Sequence, residues 1–145
     1  MIIDSIENGI VIDHICAGKG MELYNVLNLE RLTCPVALLK NVSSLRRSGK
    51  KDIIKIDELI NIDWDILGYI DPSCTVNIIK NGKVFEKKLL ELPEKIINVI
   101  KCNNPRCITS VELSIPQVFK LTEKESGVYR CAYCETKANT TKKQP

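Results

Sequence analysis

Cys102-Asn103-Asn104-Pro105-Arg106-Cys107, followed after 23 residues by Cys131-Ala132-Tyr133-Cys134, is the stretch on which the reading of this chain turns. A C-x4-C and a C-x2-C joined by a longer loop are what four thiolates need to converge on one tetrahedral ion, each short spacer folding the chain back on itself. Asn103-Asn104-Pro105 supplies turn formers for the first spacer. Lys101, Arg106 and Arg130 bring positive charge beside a site that is net negative with zinc bound. Four cysteines leave no open coordination position, so the expected zinc is structural and catalyses nothing. The chain has seven cysteines and one histidine. An odd count with no export-like start speaks against a disulfide framework. Cys16, Cys34 and Cys74 lie singly in apolar surroundings and read as small buried hydrophobes.

Working outward, the segment from Lys95 onward is expected to need that metal. Its apolar residues, among them Val111, Leu113, Ile115, Val118, Phe119, Leu121, Val128 and Tyr129, make only a thin core of short alternating strands. The polar stretch from about residue 136 reads as a disordered tail. Leu92-Pro93-Glu94 interrupts a strand-like run, which puts a domain boundary at about residue 94: 1–94 in one domain, 95–145 in the other. At 145 residues, with 44% hydrophobic and 27% charged side chains, the chain is long enough for two small domains and no more. No apolar run reaches the length of about 20 residues that spans a bilayer. A cytoplasmic protein without a membrane role is expected.

The first ninety-odd residues alternate strands and helices. Gly9 to Ile15 is short, β-branched and bounded by glycines, a strand ending in the polar pair Asp13-His14. Helical spacing runs from Lys19 to Leu29; strands follow at Val36–Lys40 and Asp52–Ile56, with a Ser- and Lys/Arg-rich loop between them. Asp63 to Ile70 is a short helix with acids in its first turn. Asn81-Gly82, between Val76–Lys80 and Lys83–Lys87, is a hairpin with a type I′ turn. The expected fold is α+β: an antiparallel-rich sheet with two helices on one face, plus a small C-terminal all-β zinc-binding domain.

Binding chemistry is better supplied than catalytic chemistry. No P-loop, G-x-G-x-x-G, H-E-x-x-H or G-x-S-x-G is present. The lone His14 beside Asp13, with Lys51, Lys55, Lys87, Lys88 and Asn77, could meet a nucleotide, lysines at the phosphates and an acid at the ribose; the same residues also suit the wet face of a sheet. Residues 1–94 carry 12 basic and 14 acidic side chains, net −2, and residues 95–145 carry 9 and 4, net +5. Zinc on four thiolates lowers the second figure to about +3. Few aromatics accompany that charge, so protein docking is favoured over a zinc-ribbon nucleic-acid adaptor.

Gly9-Ile10-Val11-Ile12-Asp13-His14-Ile15, Lys51-Asp52-Ile53-Ile54-Lys55-Ile56, Thr75-Val76-Asn77, Leu92-Pro93-Glu94-Lys95-Ile96 and the four-cysteine pattern through Glu135 occur in one order over nearly the whole chain. Together they resemble the regulatory chain of aspartate carbamoyltransferase. The resemblance implies a non-catalytic subunit whose N-terminal domain binds ATP as activator and CTP, with UTP, as inhibitor. Its zinc domain would dock on the catalytic chains, and homodimers of the regulatory chain would tie catalytic trimers together in pyrimidine biosynthesis. Carried over by motif, Asp13 would hold the ribose, His14 and Lys87 would lie at the phosphates, and Lys55 between base, ribose and phosphate. The backbone of Asp4, Ser5 and Ile6 would read the base edge, with Asn77 and Val84 lining the pocket. No nucleic acid is implied as a partner. Strict pairing from the hairpin puts Lys87 on the face of Val76 and Phe85, opposite Asn77 and Val84. Either a bulge near Glu86 turns Lys87 around, or one of these roles is wrong.

Overall fold

A computed structural model of the chain describes residues 6–45 and 49–138. The elements run β1 (Gly9–Cys16), α1 (Gly20–Val26), a 3-10 turn (Leu29–Arg31), β2 (Val36–Ser44), β3 (Gly49–Ile56), α2 (Trp64–Ile70), β4 (Thr75–Lys80) and β5 (Lys83–Leu89), then β6 (Lys95–Ile97), α3 (Ile108–Val111), β7 (Val118–Glu123) and β8 (Val128–Cys131). Two compact units result, Met1–Glu91 and Leu92–Pro145. None of the helices among the described residues is long and apolar enough to cross a membrane.

In the first unit five antiparallel strands lie in the order β2-β3-β1-β4-β5. Alternation divides their side chains between two faces. Ile10, Ile12, Ile54, Ile56 and Val76 are buried on one, as are Leu23 of α1 and Leu67 of α2. That α1 lies on this face is fixed by Gly20, where an added Cβ would stand 2.8 Å from both Asp52 and Leu38. Helix α2 is opened by Asp63, whose side chain accepts from the N–H groups of Asp65 and Ile66.

Asp52 is the polar centre of this packing and is fully buried. Its Oδ2 accepts from the N–H groups of Gly18 and Gly20 at 3.0 and 2.9 Å, and its Oδ1 from Asn41 N–H at 3.0 Å. One carboxylate thus joins the entry of α1 to an irregularity in β2. The Ser- and Lys/Arg-rich stretch expected as a loop is largely strand. β2 runs on to Ser44 and β3 starts at Gly49, because an offset between Leu39 and Val42, with Asn41 at φ 60°, restores the pairing. Arg46, Arg47 and Ser48, in the same stretch, lie outside the described residues.

The second unit is the three-stranded sheet β6-β7-β8. Ile96, Phe119 and Tyr129 are buried on one side of it. The Tyr129 hydroxyl donates to Pro93 O at 2.6 Å. The expected all-β domain also holds the single helical turn α3, placed just after Cys107. The tail read as disordered from about residue 136 is ordered over its first residues: Cys131 N–H donates to Thr136 O, Ala138 N–H donates to Tyr129 O, and Ala138 is buried. Residues 139–145 lie outside the described residues.

Candidate functional site

Three bulges shape the helix-free face of the first unit. In β1, Ile12 pairs with Ile54 and Ile15 with Asp52, so Asp13 and His14 together face Ile53. His14 takes φ 59°, and its Nδ1 lies 3.2 Å from Thr75 Oγ1. The strand therefore does not end at the polar pair; it swells there and continues to Cys16. The second bulge is the one at Asn41. The third is in β5: Ile79 pairs with Val84 but Ile78 pairs with Glu86, which leaves Phe85 as the extra residue.

That third bulge sets the face on which Lys87 lies. With Phe85 inserted, Lys87 stands directly opposite Asn77, and Val84 keeps to the same face. One row of cross-strand neighbours now reads Lys55, Val11, Asn77 and Lys87 over β3, β1, β4 and β5. Asp13 belongs to the next row, opposite Thr75. Lys55 and Lys87 form no ion pair among the described residues. Asp13 Oδ1 meets Lys51 Nζ at 3.0 Å and accepts from His14 N–H. Burial raises the Asp13 carboxyl, but the Lys51 ammonium and the His14 N–H outweigh it and hold the group below its usual value. Ile6 is buried at the start of the described chain, while Asp4 and Ser5 lie outside it. The Asn81-Gly82 turn has φ 54° and 76°, as a type I′ turn requires. It is tied to the chain before β1 by bonds from Gly82 N–H to Glu7 O and from Asn81 N–H to Asn8 Oδ1.

In the second unit the sulfurs of Cys102, Cys107, Cys131 and Cys134 all lie within 4.8 Å of one another. Cys102 and Cys134 are 3.6 Å apart and Cys107 and Cys131 3.7 Å. A tetrahedron with metal–sulfur bonds of about 2.3 Å has edges of about 3.8 Å, so the donor set fits a four-coordinate metal ion. Disulfides, with sulfurs about 2.05 Å apart, are a different geometry.

Each sulfur also has a partner two residues further along the chain. Asn104 N–H donates to Cys102 and Tyr133 N–H to Cys131, at 3.5 and 3.4 Å. The hydroxyls of Thr109 and Thr136 lie 3.1 Å from Cys107 and Cys134. Two of these contacts lower the thiols they touch. The Thr136 hydroxyl leads in bringing Cys134 down to about 6, and Thr109 lowers Cys107. Cys102, where burial is the largest influence, is pushed up to about 12. Sequence reasoning found the four cysteines and missed both threonines, although each stands in a C-x-T pattern after the second cysteine of its pair. It also passed over Asp52.

Comparison with known proteins agrees with both units. Residues 1–91 match the model of the aspartate carbamoyltransferase regulatory chain, allosteric domain, and residues 94–143 match that of its metal binding domain. Proteins named aspartate carbamoyltransferase regulatory chain are similar over almost their full length. That of Clostridium botulinum is 53% identical over 135 residues, covering 93% of this chain and 92% of the relative. That of Clostridium tetani is 53% identical over 136 residues, covering 93% and 94%. That of Bifidobacterium longum is 44% identical over 138 residues, covering 95% and 99%. The chain belongs to the family of aspartate carbamoyltransferase regulatory chains, as a regulatory and not a catalytic subunit, with an allosteric domain followed by a metal-binding one.

Proposed function

We propose that the first unit binds ATP and CTP or UTP on its helix-free face, the former activating and the latter inhibiting, and that the second unit carries the signal to catalytic chains. The observation that carries this reading is the row Lys55, Val11, Asn77, Lys87 with Asp13 in the next row. Three strand spacings separate Lys55 from Lys87, about 15 Å, room for a nucleotide laid across the strands with cations near both ends. Asp13 Oδ2 has no partner among the described residues and is free to accept from ribose hydroxyls. Asn77 offers both a donor and an acceptor, and Val84 an apolar contact. His14, held at the β1 bulge, and Lys87 serve the phosphates. Asp4, Ser5 and Ile6 read the base through backbone groups.

Zinc is the ion we assign to the four cysteines. Soft thiolate donors in a closed tetrahedron suit it, and bound there it acts as a structural cross-link. The loop between the two cysteine pairs carries Ile108, Val111 and Leu113, 47, 69 and 81% exposed, and the second pair encloses Tyr133, 43% exposed. So many exposed apolar side chains on a small unit support a protein-docking role, for which the catalytic chain is the partner in this family. Pairing of two regulatory chains and a cytoplasmic setting rest on the family resemblance. An effector shifts such an assembly only by its differential affinity for two states.

The test is calorimetric titration of the full chain. ATP and CTP should bind competitively, and Lys55→Ala or Lys87→Ala should weaken both by roughly tenfold, the loss of one charge-assisted contact. Absence of binding by either nucleotide refutes the effector role.

A further inference from the structure

The face of the second sheet turned away from Ile96, Phe119 and Tyr129 carries a row of cations. Lys95 of β6 pairs with Lys120 of β7, Lys120 with Arg130 of β8, and Arg130 with Lys137 on the returning chain. Directly paired residues share a face about 5 Å apart, where like charges repel and cost folding free energy. No ion pair among the described residues of the unit offsets this. The ion pairs among the described residues, Lys51–Asp13 and Lys88–Glu86, are both in the first unit. Arg130 donates to the carbonyl oxygen of Glu135, not to its carboxylate. Beside the basic row runs an apolar one: Ile97 pairs with Val118, and Ala132 N–H donates to Val118 O. At the basic row is an open hollow of about 320 Å³, lined by Lys120, Thr122, Arg130, Cys131, Ala132 and Glu135.

We infer that this face docks an acidic amphipathic helix of a protein partner, laid across the strands with its carboxylates on the cation row and its apolar side chains on the row beside it. Helical residues three and four apart are about 5–6 Å from one another, the same interval as the cations, so one helix face can meet all four. The apolar row sets a protein apart from a nucleic acid, which would want stacking aromatics there; Ile97, Val118 and Ala132 supply none. The inference rests on the reading that this unit docks on a catalytic chain, and it names the chemistry of one contact surface.

The experiment measures association of the full chain with an aspartate carbamoyltransferase catalytic trimer by surface-immobilised binding, from about 50 to about 300 mM salt, a range over which screening becomes strong. Wild type should bind less tightly as salt rises. The double variant Lys120→Glu, Arg130→Glu should lose roughly tenfold or more, mainly in association rate, whereas Lys124→Glu, off the row, should not. Cobalt(II) absorption of each variant checks that the four-cysteine site has formed. Should the double variant misfold, the salt series on wild type decides: a salt-independent affinity overturns the inference. Equal binding by wild type and double variant overturns it while leaving catalytic-chain docking intact. No binding by wild type at any salt refutes docking and this inference together. Tight binding to an RNA or DNA duplex without binding to the trimer overturns it in favour of a nucleic-acid face.

Discussion

Replacing Thr109 and Thr136 by valine tests whether the metal centre is held by more than its four ligands. Valine keeps the shape of threonine and removes only the hydroxyl, so packing is preserved. Each hydroxyl lies 3.1 Å from a sulfur, and Thr109 is only 1% exposed. A hydrogen bond to a charged acceptor contributes about 1.5–3 kcal/mol, and the buried Thr109 belongs near the top of that range because no water can replace it. In affinity this is a loss of about 10- to 100-fold for Thr109→Val, in line with outer contacts at other metal sites. Thr136→Val should lose less than about tenfold, since its hydroxyl is placed as acceptor from the Cys134 sulfur and water can reach that edge. The assay is competition for zinc between the full chain and a chromogenic chelator, with circular dichroism to confirm folding. Affinities unchanged within about twofold in both folded variants would refute the argument, because 1.4 kcal/mol corresponds to a factor of about ten.

Other consequences follow from the same geometry. Asp52→Ala strips three backbone N–H groups of their acceptor inside the first unit and should destabilise it by about 4 kcal/mol, read by urea unfolding. Asp13 has its folded value below the ordinary 3.8. Its contribution to stability is therefore complete above that value and is lost as pH falls through the lower folded one. Thermal unfolding of wild type and Asp13→Asn should differ at neutral pH and converge in acid. Removing the metal by chelation, or Cys107→Ser, should abolish hydrogen-exchange protection at Phe119 and Tyr129 while leaving Ile12 and Ile54 protected, since the two cores are separate.

What was legible in the sequence followed from local rules. Cysteine spacing defines a metal knuckle because the ligands are a few residues apart, and Asn81-Gly82 specifies its turn through positive φ alone. The order of strands and helices in the first unit came from periodicity. Bulges escaped, because one inserted residue is invisible in a pattern of alternation: Phe85 sends Lys87 to the face of Asn77, and Asn41 lets β2 outrun its expected end. Asp52 escaped for a related reason. In Lys51-Asp52-Ile53-Ile54 it looks like the polar start of a strand, and its partners at Gly18 and Gly20 are more than thirty residues away. The threonines were near at hand, yet only the folded knuckle turns their hydroxyls onto sulfur.

The short return of the chain beside β8 bears on how this protein can be trimmed or tagged. A cut at Glu135 keeps all four cysteines and looks harmless on paper. It removes Thr136, whose carbonyl receives the Cys131 N–H and whose hydroxyl touches Cys134, and Ala138, which seals the sheet against Tyr129. A truncated chain would keep its ligands and lose the clasp that presses them together, so fusion or cleavage sites belong beyond Ala138.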